Sequence, residues 1–158
     1  MVVTLPPASE AWDVELRPYW TPRFAYAAAF LIAAAHIVVG LLLKIGSSGV
    51  IFQTADQVAM AVLGLVIAGA VLLFARPRLR VGPAGLAVRN LLSYRIVPWS
   101  DVVGVSFPVG RRWARIDLPD DEYVPVMAIQ AVDKDRAVAA MDTVRELLAR
   151  YGSPRGQA

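Results

Sequence analysis

Two stretches of the chain carry no charged side chain: residues 24 to 43 (FAYAAAFLIAAAHIVVGLLL) and residues 57 to 75 (QVAMAVLGLVIAGAVLLFA). About 20 apolar residues in a helix cross the hydrocarbon core of a bilayer, where every backbone N–H and C=O must be satisfied within the segment. The pair predicts a two-helix transmembrane hairpin. It also accounts for a composition of 57% hydrophobic against 18% charged residues, a split foreign to a single water-soluble domain. The first run is too long for the apolar core of a cleaved signal peptide, about 7 to 15 residues, and it follows the acids Glu10, Asp13 and Glu15.

The net charge of +3 is unevenly placed. Residues 1 to 75 hold three basic and four acidic groups, residues 76 to 115 hold eight arginines and only Asp101, and residues 116 to 158 hold five basic and eight acidic groups. Arg17 and Arg23 precede the first span, Arg76, Arg78 and Arg80 follow the second, and the connection 44 to 56 holds only Lys44 as a base. The positive-inside rule then places both termini in the cytoplasm, with a cytoplasmic segment 1 to 23, an external loop 44 to 56 and the whole chain in the plasma membrane. Trp12, Tyr19, Trp20 and Tyr26 fit an interfacial aromatic belt, and Pro18 and Pro22 interrupt any single helix there.

Small residues recur at three- and four-residue spacing, at Ala27 to Ala29, Ala33 to Ala35 and Gly40 in the first span and at Ala61, Gly64 and Ala68 in the second. Such faces let helices approach closely in lipid, within the hairpin, against a partner's helices or against a second copy. His36 lies near the middle of the first span, and an ionisable residue at that depth is a functional candidate. With no titratable group at the same depth on the other span, a neutral imidazole making an interhelical hydrogen bond is expected; haem ligation and proton relay are the alternatives.

Beyond Pro77 the period changes. Residues 78 to 82, 85 to 90, 94 to 98, 102 to 107, 112 to 117 and 123 to 129 are short runs rich in Val, Ile and aromatics, separated by turn residues, which reads as an antiparallel meander. Pro98, Pro108, Pro119 and Pro125 mark strand ends or edges. From Asp133 to Tyr151 the residues Ala137, Val138, Met141, Val144, Leu147, Leu148 and Tyr151 form one helical face, with Asp133 placed as the cap and Gly152 and Pro154 as the stop. The stripe must be buried on the sheet.

The segments R-L-R-V-G-P-A-G-L-A-V-R (78 to 89), I-V-P-W-S-D-V-V-G-V (96 to 105) and Y-V-P-V-M-A-I-Q (123 to 130), closed by that helix, resemble the small actinobacterial membrane proteins with a bacterial pleckstrin-homology (PH) domain, in the group related to low-molecular-weight antigen 6. Pro98-Trp99-Ser100-Asp101 is the most specific piece, and the resemblance covers residues 76 to 152, about half the chain. It implies a two-helix transmembrane hairpin followed by a PH-like domain, an antiparallel β barrel or sandwich plus a C-terminal α-helix, with 153 to 158 as a tail. Within it Trp99 is expected to anchor a strand corner and Asp101 to accept backbone N–H groups. Eukaryotic relatives that bind phosphoinositides carry basic residues in the first hairpin loop. That loop is here assigned to Val81 to Gly85, which is uncharged.

No cysteine and a single histidine leave no thiolate chemistry, no zinc or iron-sulfur ligand set and no Ser-His-Asp triad in water. No phosphate-binding glycine loop or nucleophile elbow occurs. Asp120, Asp121 and Glu122 are too close together for a calcium loop and read as a polar turn. Neither an enzyme, nor a cofactor, nor a metal site, nor a nucleic-acid contact is expected. The expectation is a protein-interaction or scaffold module at the inner face of the plasma membrane, with a protein partner and a possible homo-oligomer. The alternatives are an anionic-lipid sensor or an accessory subunit of an envelope or transport complex. Candidate lipid contacts are Arg76, Arg78, Arg80, Arg111, Arg112 and Trp113.

Overall fold

Strict alternation in Arg78-Leu79-Arg80-Val81 turns Leu79 and Val81 to one side, both fully buried, and the two arginines to the other. Among the described residues the same period builds seven strands: β1 (Val14–Leu16), β2 (Arg78–Gly82), β3 (Gly85–Arg89), β4 (Tyr94–Val97), β5 (Gly104–Ser106), β6 (Trp113–Asp117) and β7 (Tyr123–Gln130). All pairings are antiparallel, in one sheet of order β1-β2-β3-β4 and a second of order β5-β6-β7. This computed structural model describes residues 12 to 42 and 53 to 152. Residues 1 to 11, the tail and most of the expected external loop lie outside that range.

The chain forms two units, one of residues 1 to 18 with 77 to 158, the other of residues 19 to 76. In the β unit, α3 (Asp135–Tyr151) packs on β2, β5 and β7, and Ala137, Met141, Val144 and Leu147 enter a core with Leu79, Leu86, Ile116 and Val126. Val138, expected on that stripe, is 60% exposed. Asp133 does not occupy the N-cap position. It is buried in a 3₁₀ turn, Ala131–Asp133, and Lys134 precedes the first helical residue with a positive φ of 47° and no side-chain cap.

The β1 strand is the main departure from the sequence reading. Residues 14 to 16 were assigned to an N-terminal segment, yet they pair with β2 in the register Val14 with Val81, Glu15 with Arg80 and Leu16 with Leu79. Three residues followed by Pro18, shortly before an apolar helix that takes Pro22 into its first turn, give too short a signal to read; their partner lies over 60 positions away. The first hairpin of the β unit is therefore β1-β2, and the whole helical unit is its connection. The turn at Val81 to Gly85 belongs to the second hairpin. Gly85 there has φ +135°, and a Cβ on it would sit 2.3 Å from the Val97 carbonyl oxygen, so only glycine fits.

The helical unit consists of α1 (Trp20–Leu42) and α2 (Thr54–Leu72), the latter running into a 3₁₀ turn, Leu73–Ala75. Both are long and apolar enough to cross a membrane, and only 17% and 11% of their apolar windows are buried, unlike the core helix of a soluble protein. Ala25, Ala29 and Gly40 of α1 and Gly64 and Ala68 of α2 are the buried positions. His36 occupies the notch left by Gly64, where a Cβ would come within 2.4 Å of the histidine Cβ. Its hydrogen bond is not interhelical: Nδ1 donates to the Ile32 carbonyl of its own helix at 2.8 Å, because a side chain can reach back to the i−4 carbonyl. Gln57 Nε2 supplies the bond between helices, to the Gly40 carbonyl at 2.9 Å. A polar side chain on an otherwise apolar helix is satisfied this way.

Candidate functional site: the arginine face of the first sheet

The cross-strand register decides which charges meet. On the outer side of the first sheet, Glu15, Arg80, Ala87 and Ile96 form one row across β1 to β4, and Arg78, Arg89 and Tyr94 form the next. Arg17 follows β1 at the same edge. The Glu15 carboxylate is the hub: it accepts from Arg80 Nε at 2.6 Å and from Arg17 Nε at 2.5 Å, with Arg78 Nη1 at 3.9 Å. These bonds, that to Arg80 foremost, hold its pKa below the ordinary carboxylate value. Burial, then the positive charge of Arg17, lowers that of Arg78; Glu15 opposes the shift, while Arg89 and Arg80 add to it.

The outer side of the second sheet is balanced instead. Arg115 Nε meets Asp117 Oδ1 at 2.7 Å and Ser106 Oγ at 3.1 Å, and its guanidinium lies 5.3 Å from the Tyr123 ring centre. Among the described residues, the outer side of the first sheet thus gathers four arginines, Arg17, Arg78, Arg80 and Arg89, with one carboxylate. Arg78 and Arg80 belong to it. Arg111 and Arg112 do not: they are exposed in the turn between β5 and β6, beside the partly exposed Trp113 and the positive φ of Gly110. Arg76 closes the helical unit, its N–H bonded to the Leu73 carbonyl.

The Pro98-Trp99-Ser100-Asp101 segment forms a 3₁₀ turn between β4 and β5. Trp99 is buried, donates its indole N–H to the Gly82 carbonyl at 2.8 Å and lies 6.0 Å from the Tyr151 ring of α3. Asp101 accepts from the Ser100 hydroxyl at 2.9 Å, whereas the turn's backbone bonds end on the Pro98 and Trp99 carbonyls, so the expected capping by its carboxylate is replaced by backbone closure. The Tyr151 hydroxyl donates a hydrogen bond to Asp13 Oδ2 at 2.7 Å, which raises the phenol's pKa. The motif thus joins the second hairpin to α3, and α3 to the segment before β1.

A model of the bacterial PH domain matches residues 76 to 147. Uncharacterised proteins of Mycobacterium tuberculosis (Rv1417) and Mycobacterium bovis (Mb1452) are each 81% identical over 144 residues, 91% of this chain and 94% of theirs. The chain belongs to the bacterial PH domain family. Seven antiparallel strands in two sheets with a C-terminal helix are the architecture expected of such a PH-like domain, and β1, outside the matched residues, completes it. No solved structure matches the chain.

Sequence reasoning missed two residues of this PH-like unit. Glu15 was counted as an acid near the first span, and only the strand register reveals it as the counter-ion of three arginines. Asn90 was read only as the end of the run 85 to 90. Its side chain donates to the Pro125 carbonyl at 2.9 Å and accepts from the Met127 N–H at 3.1 Å, so the end of the first sheet is stitched to the edge of β7. An asparagine followed by Leu-Leu-Ser at a strand end was the available signal; the span of 35 residues to its partner was not.

Proposed function

We propose that this protein is a non-catalytic interaction module whose PH-like domain is held at the inner face of the plasma membrane by the two apolar helices and there engages a protein partner. One observation carries the reading. The two connections between the units, residues 17 to 19 and 76 to 77, leave from β1 and β2, which are paired neighbours. The apolar helices are thus inserted within the PH-like domain rather than appended to one end of it, so a membrane that holds the helices holds the domain at two points of its chain, as an anchored module needs. The charge pattern supports an inward β unit. The family fold supports interaction rather than chemistry.

The anchoring half is tested by alkaline carbonate extraction, in which the chain should stay with the membranes, and by a reporter joined after Ala158, which should be active only in its cytoplasmic form. The interaction half is tested by purification of the full-length chain in mild detergent. A stoichiometric protein partner is expected, and recovery of the chain alone under conditions that preserve known membrane assemblies would refute it.

A further inference from the structure

The arginine face has more cations than its own acid can serve. Arg17, Arg78 and Arg80 share the single Glu15 carboxylate, and Arg89 stands directly across from Arg78. Like charges opposite one another on neighbouring strands repel, and among the described residues Arg89 makes no ion pair. Such a surplus is stable in company with an external anion. The chain limits where that anion comes from. Arg17 lies three residues before α1 and Arg78 three residues after the 3₁₀ end of α2, so their backbones are within about 11 Å of the helix ends. If the helices end where the hydrocarbon ends, the next layer, about 5 to 7 Å deep, is the phosphate-bearing headgroups.

We propose that the outer face of the first sheet, through Arg17, Arg78, Arg80 and Arg89, binds the headgroup phosphates of the anionic lipids surrounding the protein's own helices, with Glu15 as the built-in competitor that weakens this contact. The inference rests on the membrane-anchored reading above. Guanidinium groups suit it because their forked donors match phosphate oxygens two at a time. Tyr94, 61% exposed beside Arg89, adds an amphipathic ring suited to an interface.

The chain has no cysteine, so a fluorophore can be placed at Tyr94→Cys, with Glu122→Cys at the far hairpin tip as the control. Full-length protein is reconstituted into vesicles of phosphatidylcholine alone or mixed with phosphatidylglycerol, each carrying a headgroup quencher. Quenching at Tyr94→Cys should be stronger with phosphatidylglycerol and fade as salt is raised, with no such change at Glu122→Cys. Arg89→Gln, which leaves the Glu15 pairs intact, should lower the docked-to-undocked ratio about fivefold, and Glu15→Gln should raise it. Equal quenching in both vesicles, an equal rise at the control position, or an unaffected Arg89→Gln would overturn the proposal. Loss of the phosphatidylglycerol effect with inorganic phosphate, but not with chloride at equal ionic strength, would also overturn it, by making the face a site for free phosphate. Release of the protein by carbonate would instead refute the anchoring itself, so the two failures are distinct.

Discussion

In the helical unit Phe30, Leu31 and Val66 are 72, 65 and 64% exposed, whereas Leu86, Ile116 and Val126 of the β unit are fully buried. Similar side chains thus stand in opposite relation to their surroundings. In the β unit the hydrophobic effect assembles the core, and polar groups fill the outside of each strand. In the helices the small residues are buried and the large ones face out, so packing rests on close backbone approach at Gly40, Gly64 and Ala68 and on the Gln57 bond. One chain therefore contains two folding problems, and the paired strands β1 and β2 are where they are joined.

The harshest way to break the comparison is to separate the units. Replacing residues 19 to 76 by a short Asn-Gly turn should give a soluble, cooperatively unfolding seven-strand domain, because β1 and β2 are already in hairpin register. The piece 77 to 152 alone should aggregate, since without β1 the long edge of β2 is open. Size-exclusion chromatography and thermal denaturation distinguish the two. Next in size, Ile116→Ala should destabilise the β unit by about 2 to 5 kcal/mol, while Val66→Ala, on an exposed helix face, should change stability by less than about 0.5 kcal/mol. Denaturant titration in detergent measures both.

At an intermediate level, Asn90→Leu leaves the Pro125 carbonyl and the Met127 N–H without their partner and should cost about 1 to 3 kcal/mol. Gly64→Ala should disturb only the helices, and His36→Gly in the same chain, which removes the Cβ it meets, should relieve the clash, read as recovery of the helical unit's own melting transition. The smallest expected effect is acid loss at Glu15. Its folded pKa is lowered, so its contribution is full above the unfolded value of about 4.5 and fades as pH falls through the folded one. A half-exposed pair of this kind contributes about 0.2 to 1 kcal/mol, and Glu15→Gln should remove that part of the pH dependence of unfolding below about pH 5.

Much of the molecule was legible before any coordinates. Each of the six strands read after Pro77 is present to within two residues at either end, because alternation and turn chemistry are local signals. The closing helix and the two apolar helices follow from spacing and length for the same reason. What escaped shares one trait, distance along the chain. Glu15 meets Arg80 across 65 positions, Asn90 meets Met127 across 37, and Tyr151 meets Asp13 across 138. His36 was placed on the right helix with the wrong partner, since periodicity gives a face but not the reach of a rotamer.

By itself the sequence determined the helices, the strands after Pro77 and the charge block that follows the second apolar run, because each depends on residues a few positions apart. The tertiary structure alone decided that residues 14 to 16 are the first strand of a domain resuming at Pro77, and that three arginines share one carboxylate on its outer face with Arg89 beside them. Register is the physical reason. Hydrogen-bonded pairing converts distant positions into neighbours at about 5 Å, and no pattern within either strand specifies which neighbour it receives.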